Sequence, residues 1–393
     1  MPFFEPFRLE RYFAAHEFSA KHLLCTSDCE TIAVRELLAL ESDARERLLD
    51  LKLGYTETRG DPELRKDISR LYAPDSGIGP DQIFVHAGAE EAILNFCLAT
   101  LSSGDHVVVN FPCYQSLAEI PRALGCAVTP WPFDEGANRW RLDPDRLASL
   151  LRPKTRLVIL NMPHNPTGAL MSGQEFAQVV ALCGKAGALL LVDEVYRGLE
   201  RDPAKRLPAA CEAYENGISL NVLSKTWGLA GLRIGWLASR RKDVLDAVAL
   251  VKDFNSICAS GPSEVLAGIA VRNVEKLASR NRALCAANLK LLEGFFSRMP
   301  GLATWIPPEG GSIAFPKLGK AAAAAYPAAV GEGGDAETLA LALLADTGVL
   351  LLPGAYYEYG SPHFRLGFGR ASMPQALEIF EKWAVSKGLG QGE

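Results

Sequence analysis

No run in this 393-residue chain reaches the ~18 apolar residues of a membrane-spanning helix, and residues 1–10 are acidic and aromatic, without the apolar core of a signal peptide. A cytoplasmic location and no membrane partner are therefore expected. Positive charge is not in excess either. Lys and Arg number 41 against 46 Asp and Glu, a formal net charge of −5, which supplies no field for gripping a phosphate backbone, so nucleic acid is not expected as a partner. The nine cysteines are odd in number and scattered, which excludes a small disulfide-stapled scaffold; most sit in apolar runs, as free thiols in a reducing compartment do. Cys25 and Cys29 stand near His22, but no second pair at ligand spacing follows, so no metal site is expected. Also absent are G-x-x-x-x-G-K-[ST], G-x-S-x-G, H-E-x-x-H and a G-x-G-x-x-G after a strand, which removes the usual signatures of ATPases, esterases and zinc proteases.

What is present is enough apolar sequence, 48% of residues, to build large cores, in a chain too long for one. From residue 80 the chain alternates short apolar strands with amphipathic helices. Strands are expected at Ile83–His86, His106–Phe111, Thr155–Asn161, Ala188–Val192, Ile218–Leu223 and Ile234–Ala238, and helices at Ala89–Leu101, Tyr114–Leu124 and Gly173–Ala186. Strands apolar throughout are buried on both faces, so the class is α/β with a mostly parallel sheet covered by helices. After Pro262 the pattern becomes a long helical stretch, Ser263–Met299, followed by short strands at Ser312–Phe315, Val349–Leu352 and His363–Gly367. The Ala- and Gly-rich stretch Ala321–Gly334 reads as a surface insertion with at most a short helix.

Open α/β sheets bind ligands at the C-terminal ends of their strands, and there the sequence gathers Asn165, Asp193, Tyr196, Ser224, Lys225 and Arg233. A lone strand-end lysine usually snorkels to solvent. Lys225 follows an apolar strand and has Arg233 nearby; desolvation and a neighbouring cation favour the neutral amine that condenses with an aldehyde. Asp193 ends another apolar strand, where an unpaired carboxylate is costly and calls for a cation such as a protonated pyridine.

Three segments carry a family resemblance: Asn161-Met162-Pro163-His164-Asn165-Pro166-Thr167-Gly168, Asp193-Glu194-Val195-Tyr196, and Ser224-Lys225-Thr226-Trp227-Gly228-Leu229-Ala230-Gly231-Leu232-Arg233. In order and spacing the chain resembles the pyridoxal 5'-phosphate (PLP) enzymes of the class I/II aminotransferase superfamily. The resemblance implies the fold type I architecture of PLP-dependent transferases, with a seven-stranded, mostly parallel sheet and a smaller α+β domain. The division expected is a covering N-terminal segment (1–45), a large domain (46–280) and a small domain (281–393). It further implies that Lys225 is the Schiff-base lysine and proton shuttle, that Asp193 pairs with the pyridine nitrogen, that Asn165 and Tyr196 hold the cofactor's phenolic oxygen, and that Tyr114 and Val195 pack its two faces.

The phosphate is expected on the helix start at Gly88, Ala89 and Glu90, with Ser224 and Arg233 completing the cup. Val222 replaces a serine common in the family, which leaves the cup leaning on Arg233, Ser224 and backbone. Tyr55 matches the tyrosine that reaches the neighbouring subunit's phosphate, which implies a homodimer. Arg365, in Phe364-Arg365-Leu366-Gly367-Phe368, matches the arginine that takes the substrate α-carboxylate, so an amino acid and a 2-oxo acid are the implied substrates.

The segment Cys25-Thr26-Ser27-Asp28-Cys29-Glu30 occupies the covering position, and Ser27, Asp28 and Glu30 are expected to face the substrate, biasing the site towards a polar or cationic side chain. Arg11-Tyr12-Phe13, Pro308-Glu309-Gly310-Gly311 and Leu352-Pro353-Gly354 are also similar to capreomycidine synthase-like members. Transamination is the leading expectation. A lyase or cyclising synthase, and a non-catalytic PLP-binding regulator, are the alternatives.

Overall fold

The computed structural model describes residues 4–329 and 333–390. Seven strands form the main sheet: β1 (Ile83–His86), β2 (His106–Phe111), β3 (Ala127–Pro132), β4 (Thr155–Asn161), β5 (Leu189–Asp193), β6 (Gly217–Val222) and β7 (Gly235–Ser239). Their order across the sheet is β1-β7-β6-β5-β4-β2-β3. Only β7 runs against its neighbours, β1 and β6; the remaining pairs are parallel.

The apolar runs have the cause the sequence suggested. Val107, Val109, Leu157 and Ile159 join a core on one face with Phe96 and Val248, while Val108, Val158 and Leu160 join another on the opposite face with Phe176 and Val179. With both faces covered, no polar alternation is tolerated.

Some elements differ from the sequence reading. The strand β3 was not expected; it carries Pro130 and Pro132 and lies at the sheet edge, where a missing N–H costs no ladder bond. The stretch 263–299 is two helices, Gly261–Arg272 and Val274–Arg298, broken at Asn273, whose backbone leaves the helical region at φ −115°, ψ 22°. After the covering segment a short helix spans Val34–Leu38. In the stretch 321–334 the helix Lys320–Ala325 forms, and residues 330–332 lie outside those described.

The C-terminal part packs the helices Val274–Arg298, Ala336–Thr347 and Met373–Ser386 around an antiparallel three-stranded sheet of Ile313–Ala314, Phe364–Gly367 and Leu352–Pro353. The chain's beginning belongs with this part. His22–Leu23 pairs in parallel with Val349–Leu350, and Leu24 and Cys29 are buried in the same core as Phe364 and Leu366. Before it runs helix α1 (Arg8–His16), held by the Tyr12 hydroxyl donating to the Leu351 carbonyl (2.8 Å).

Candidate active site

A cavity of about 540 Å³ opens at the C-terminal ends of β4, β5 and β6, and its wall includes Lys225, Asp193, Tyr196, Asn165, Tyr114 and Arg233. The polar segment after β4 is fixed from beneath. The Asn161 side chain donates to the Asp193 carbonyl (3.0 Å) and accepts from the Asn165 N–H (2.7 Å), and His164, kept neutral by burial, bridges Thr167 and the Pro112 carbonyl. These bonds explain why so polar a stretch follows a buried strand: its side chains satisfy the loop's own backbone.

Lys225 is partly buried, and its Nζ donates to Ser27 Oγ at 2.9 Å. Burial lowers its pKa. Among the charges, Asp28 opposes the shift and Arg365 reinforces it. Asp193 is buried at the end of β5, and desolvation pushes its pKa up to about 7 against the N–H of Val195, which donates to Oδ1 at 3.2 Å. Its neighbour Glu194 is turned elsewhere, accepting from the Ala210 N–H and the Ser219 hydroxyl. One carboxylate faces the cavity and the other serves the scaffold.

The Tyr196 hydroxyl is buried and makes no hydrogen bond, although Ser27 lies close enough to ease its pKa down against the larger upward push of burial. Asn165 receives the Tyr357 hydroxyl on Oδ1 (2.8 Å) and Arg365 Nη1 on the same atom (3.3 Å), which leaves its Nδ2 as a free donor. Arg365 is only 2% exposed and faces no carboxylate among the described residues. Its Nε donates to the Cys25 carbonyl (3.0 Å), its Nη1 to Tyr357 and Asn165, and its Nη2 to no acceptor among the described residues; the rings of Phe13 and Tyr357 flank it at 5.7 and 5.9 Å. A buried guanidinium without an anion is costly to hold, and the free Nη2 marks where an anion would enter.

A cradle forms at the helix start where the phosphate is expected. Helix α2 (Ala89–Thr100) begins at Gly88, whose φ is +90° and whose missing Cβ would lie 2.5 Å from Arg233 Nη2, so the guanidinium packs directly over the helix start. Free backbone N–H groups, the helix dipole and Arg233 converge there, with Ser224 and Ala89 in the same wall. The orphaned Tyr196 hydroxyl, the free Asn165 amide, the desolvated Asp193 and this cradle together fit a phosphorylated pyridine ring. Tyr114 and Val195 line the space between, and Tyr55 is 89% exposed on this chain.

Other placements depart from expectation. Asp28 lines no free wall: both its oxygens are taken by Arg370, one at 3.2 Å and the other at 2.5 Å. Glu30 bonds the backbone N–H groups of Thr31 (3.1 Å) and Ala371 (2.7 Å). These acids hold the covering segment to the C-terminal part and are not free to give the expected bias towards cations. Sequence reasoning missed Tyr357, which sits between Arg365 and Asn165, and Glu10, which accepts from the Tyr114 hydroxyl at 2.8 Å. The amphipathic pattern of Arg8–His16 was the available signal for a helix carrying Glu10.

Comparison with known proteins agrees with this geometry. The family model "Aminotransferase class I and II" matches residues 24–379. Among curated relatives, capreomycidine synthase of Streptomyces vinaceus is 28% identical over 97% of this chain and 93% of its own. A PLP-dependent aminotransferase from Streptococcus suis superposes with a TM-score of 0.88 at 31% identity, covering 99% of this chain and 100% of that one. The PLP-dependent cyclase OrfR superposes with a TM-score of 0.87 at 29% identity, covering 98% of each.

Proposed function

This chain belongs to the class I and II aminotransferase family, and from that premise we propose that it moves the α-amino group of an amino acid to a 2-oxo acid, with Lys225 as the Schiff-base residue. The family is PLP-dependent, and PLP is the cofactor. When bound, it supplies an aldehyde for the amine and an electron sink for the pair left at the substrate α-carbon.

The chain's own residues supply the rest. Arg233 and the N-terminus of α2 take the phosphate. Asp193, already desolvated, regains a counter-charge from a ring N–H, and that pairing keeps the ring protonated. Tyr196 Oη and Asn165 Nδ2 donate to the ring oxygen. Arg365 Nη2 takes the α-carboxylate, which turns the α-hydrogen towards Lys225. Lys225 Nζ, held by Ser27, would be the base that takes the substrate α-proton and the acid that returns it. Tyr55 and a homodimer belong to the same reading, with the exposed tyrosine completing the partner's phosphate site.

The observation carrying the proposal is a pair of groups: a strand-end lysine with a lowered pKa in the cavity wall, and a buried arginine, bonded to the wall residue Asn165, with no anion among the described residues. The test is to load the protein with PLP, reduce it with borohydride and map the adduct. It should lie on Lys225, and Lys225→Ala should retain PLP without a covalent link. Adding an amino acid should convert the cofactor to its amine form, and a 2-oxo acid should restore it. A second reading, a lyase or cyclising synthase, is supported by the likeness to capreomycidine synthase over nearly the whole chain. It predicts a changed amino-acid product with no net transfer of nitrogen.

A further inference from the structure

Given the roles proposed for the transamination site, on which any selectivity there depends, the charges around the cavity do not balance. Arg365 is committed to a carboxylate, Arg233 to a phosphate and Asp193 to a ring nitrogen. Two carboxylates of the wall then remain, Glu10 and Glu90. Among the described residues neither has a Lys, Arg or His nitrogen within the 4.0 Å of an ion pair. Both feel the charge of Lys225, which is already engaged with Ser27 and destined for chemistry.

Glu10 is fixed by one oxygen, Oε1, on the Tyr114 hydroxyl, and its other oxygen has no partner among the described residues. Oε1 of Glu90 is buried and has no hydrogen-bond partner among the described residues; burial raises its pKa, and Tyr114 and Ser116 close by oppose that shift without reversing it. Glu17, the C-cap of α1, lies in the same negative field: burial raises its pKa, and the charges of Asp28 and Glu10 raise it further. Arg370, the cation on this side, is already taken by Asp28.

The space matches the charge. A second cavity, of about 620 Å³, adjoins the first and shares Phe7 and Glu90 with it; its wall joins the apolar side chains of Phe7, Leu94 and Ile120 to the acids Glu5, Glu91 and Glu119 and the cation Arg11. An aliphatic stem passing Phe7 would lie against this surface and bring its end to the carboxylates. A neutral or acidic side chain in the same place would leave both carboxylates desolvated and unpaired.

We propose that the substrate is an amino acid whose side chain ends in a cation, a guanidinium or an ammonium on an aliphatic stem, and that Glu10 and Glu90 are the residues that select it. The two carboxylates replace Asp28 and Glu30 as the source of selectivity.

The experiment uses PLP-loaded protein and two pairs of probes alike in shape: L-arginine against L-citrulline, and L-lysine against L-norleucine. Dissociation constants come from calorimetry, and kcat/KM from amino-group transfer. At least one cationic probe should bind ~10- to 100-fold more tightly than its neutral counterpart. Glu10→Gln, which keeps an acceptor for Tyr114, should remove most of that preference while leaving the neutral probe within ~3-fold of its wild-type value. Glu90→Gln is the second variant, should the first disturb Tyr114. Equal binding within both pairs, or a preference that survives both substitutions, overturns the proposal. Turnover of neutral or acidic amino acids with the cationic ones ignored overturns it while leaving the aminotransferase reading intact. If no amino acid of any class changes the cofactor's spectrum, the proposal falls together with the reading it rests on.

Discussion

Replacing Arg365 by lysine isolates the carboxylate contact. The substitution keeps a positive charge but loses the planar fork. In the structure the guanidinium commits Nε to the Cys25 carbonyl and Nη1 to Tyr357 and Asn165, so a substrate carboxylate meets Nη2, whose two N–H groups diverge and give it one linear hydrogen bond. A charge-assisted hydrogen bond of this kind contributes about 1.5–3 kcal/mol, and an ammonium drawn towards the vacated Asn165 and Cys25 acceptors does not replace it. A net loss of about 3 kcal/mol, roughly 150-fold in kcat/KM, is expected for the best amino-acid substrate. The loss must depend on the carboxylate. The assay is therefore run in parallel on the decarboxylated amine of that substrate, whose slow reaction should change no more than ~5-fold. Folding is checked by PLP absorbance, because Asp193, Tyr196 and Arg233 are untouched. If Arg365→Lys stays within ~3-fold of wild type on the amino acid, or slows acid and amine alike, Arg365 does not bind the carboxylate.

Asp193 links the cofactor to stability through pH. Its folded pKa, about 7, lies above the unfolded value of 3.8, so folding carries no charge penalty below pH ~4 and a growing one as pH rises to ~7. The PLP-free Asp193→Asn variant should therefore melt above the PLP-free wild type at pH 8 and close to it at pH 4, by differential scanning fluorimetry, whereas PLP should stabilise wild type more than the variant at pH 8. A variant that melts lower than wild type at pH 8 without PLP would contradict burial as the dominant cause. For Tyr55, mixing Lys225→Ala subunits with Tyr55→Phe subunits should restore part of the activity if each is inactive alone, because a hybrid dimer then holds one intact site; proven hybrids without recovery would place Tyr55 in cis.

The sequence was most informative where the physics is local. The strands β1, β2 and β4 lie at the residues expected, since burial on both faces leaves an unbroken apolar signature. Lys225, Asp193 and Asn165 follow such strands directly and come to one cavity. The edge strand β3 was hidden because its two prolines and its exposed residues erase that signature. Glu10 and Tyr357 were hidden for another reason: their partners Tyr114 and Asn165 are 104 and 192 residues away, and no local pattern records such a meeting. Asp28 was misplaced because a covering position was read without its ion pair to Arg370, 342 residues on.

The threading of the first thirty residues into the C-terminal sheet has a consequence for synthesis. Gly367 donates to the Leu24 carbonyl, and a Cβ on it would lie 1.9 Å from the Thr26 carbonyl oxygen, so the early segment fits only against a finished Phe364–Gly367 strand. Arg365 likewise waits for Cys25. At translation speeds of about 5–20 residues per second, Leu24 and Cys25 leave the ribosome roughly 20 to 70 s before their partners exist. During that time two side chains with no solvent exposure in the finished fold stand in water or on a chaperone. The site thus closes only when the early segment at Leu24 and Cys25 meets the later strand Phe364–Gly367.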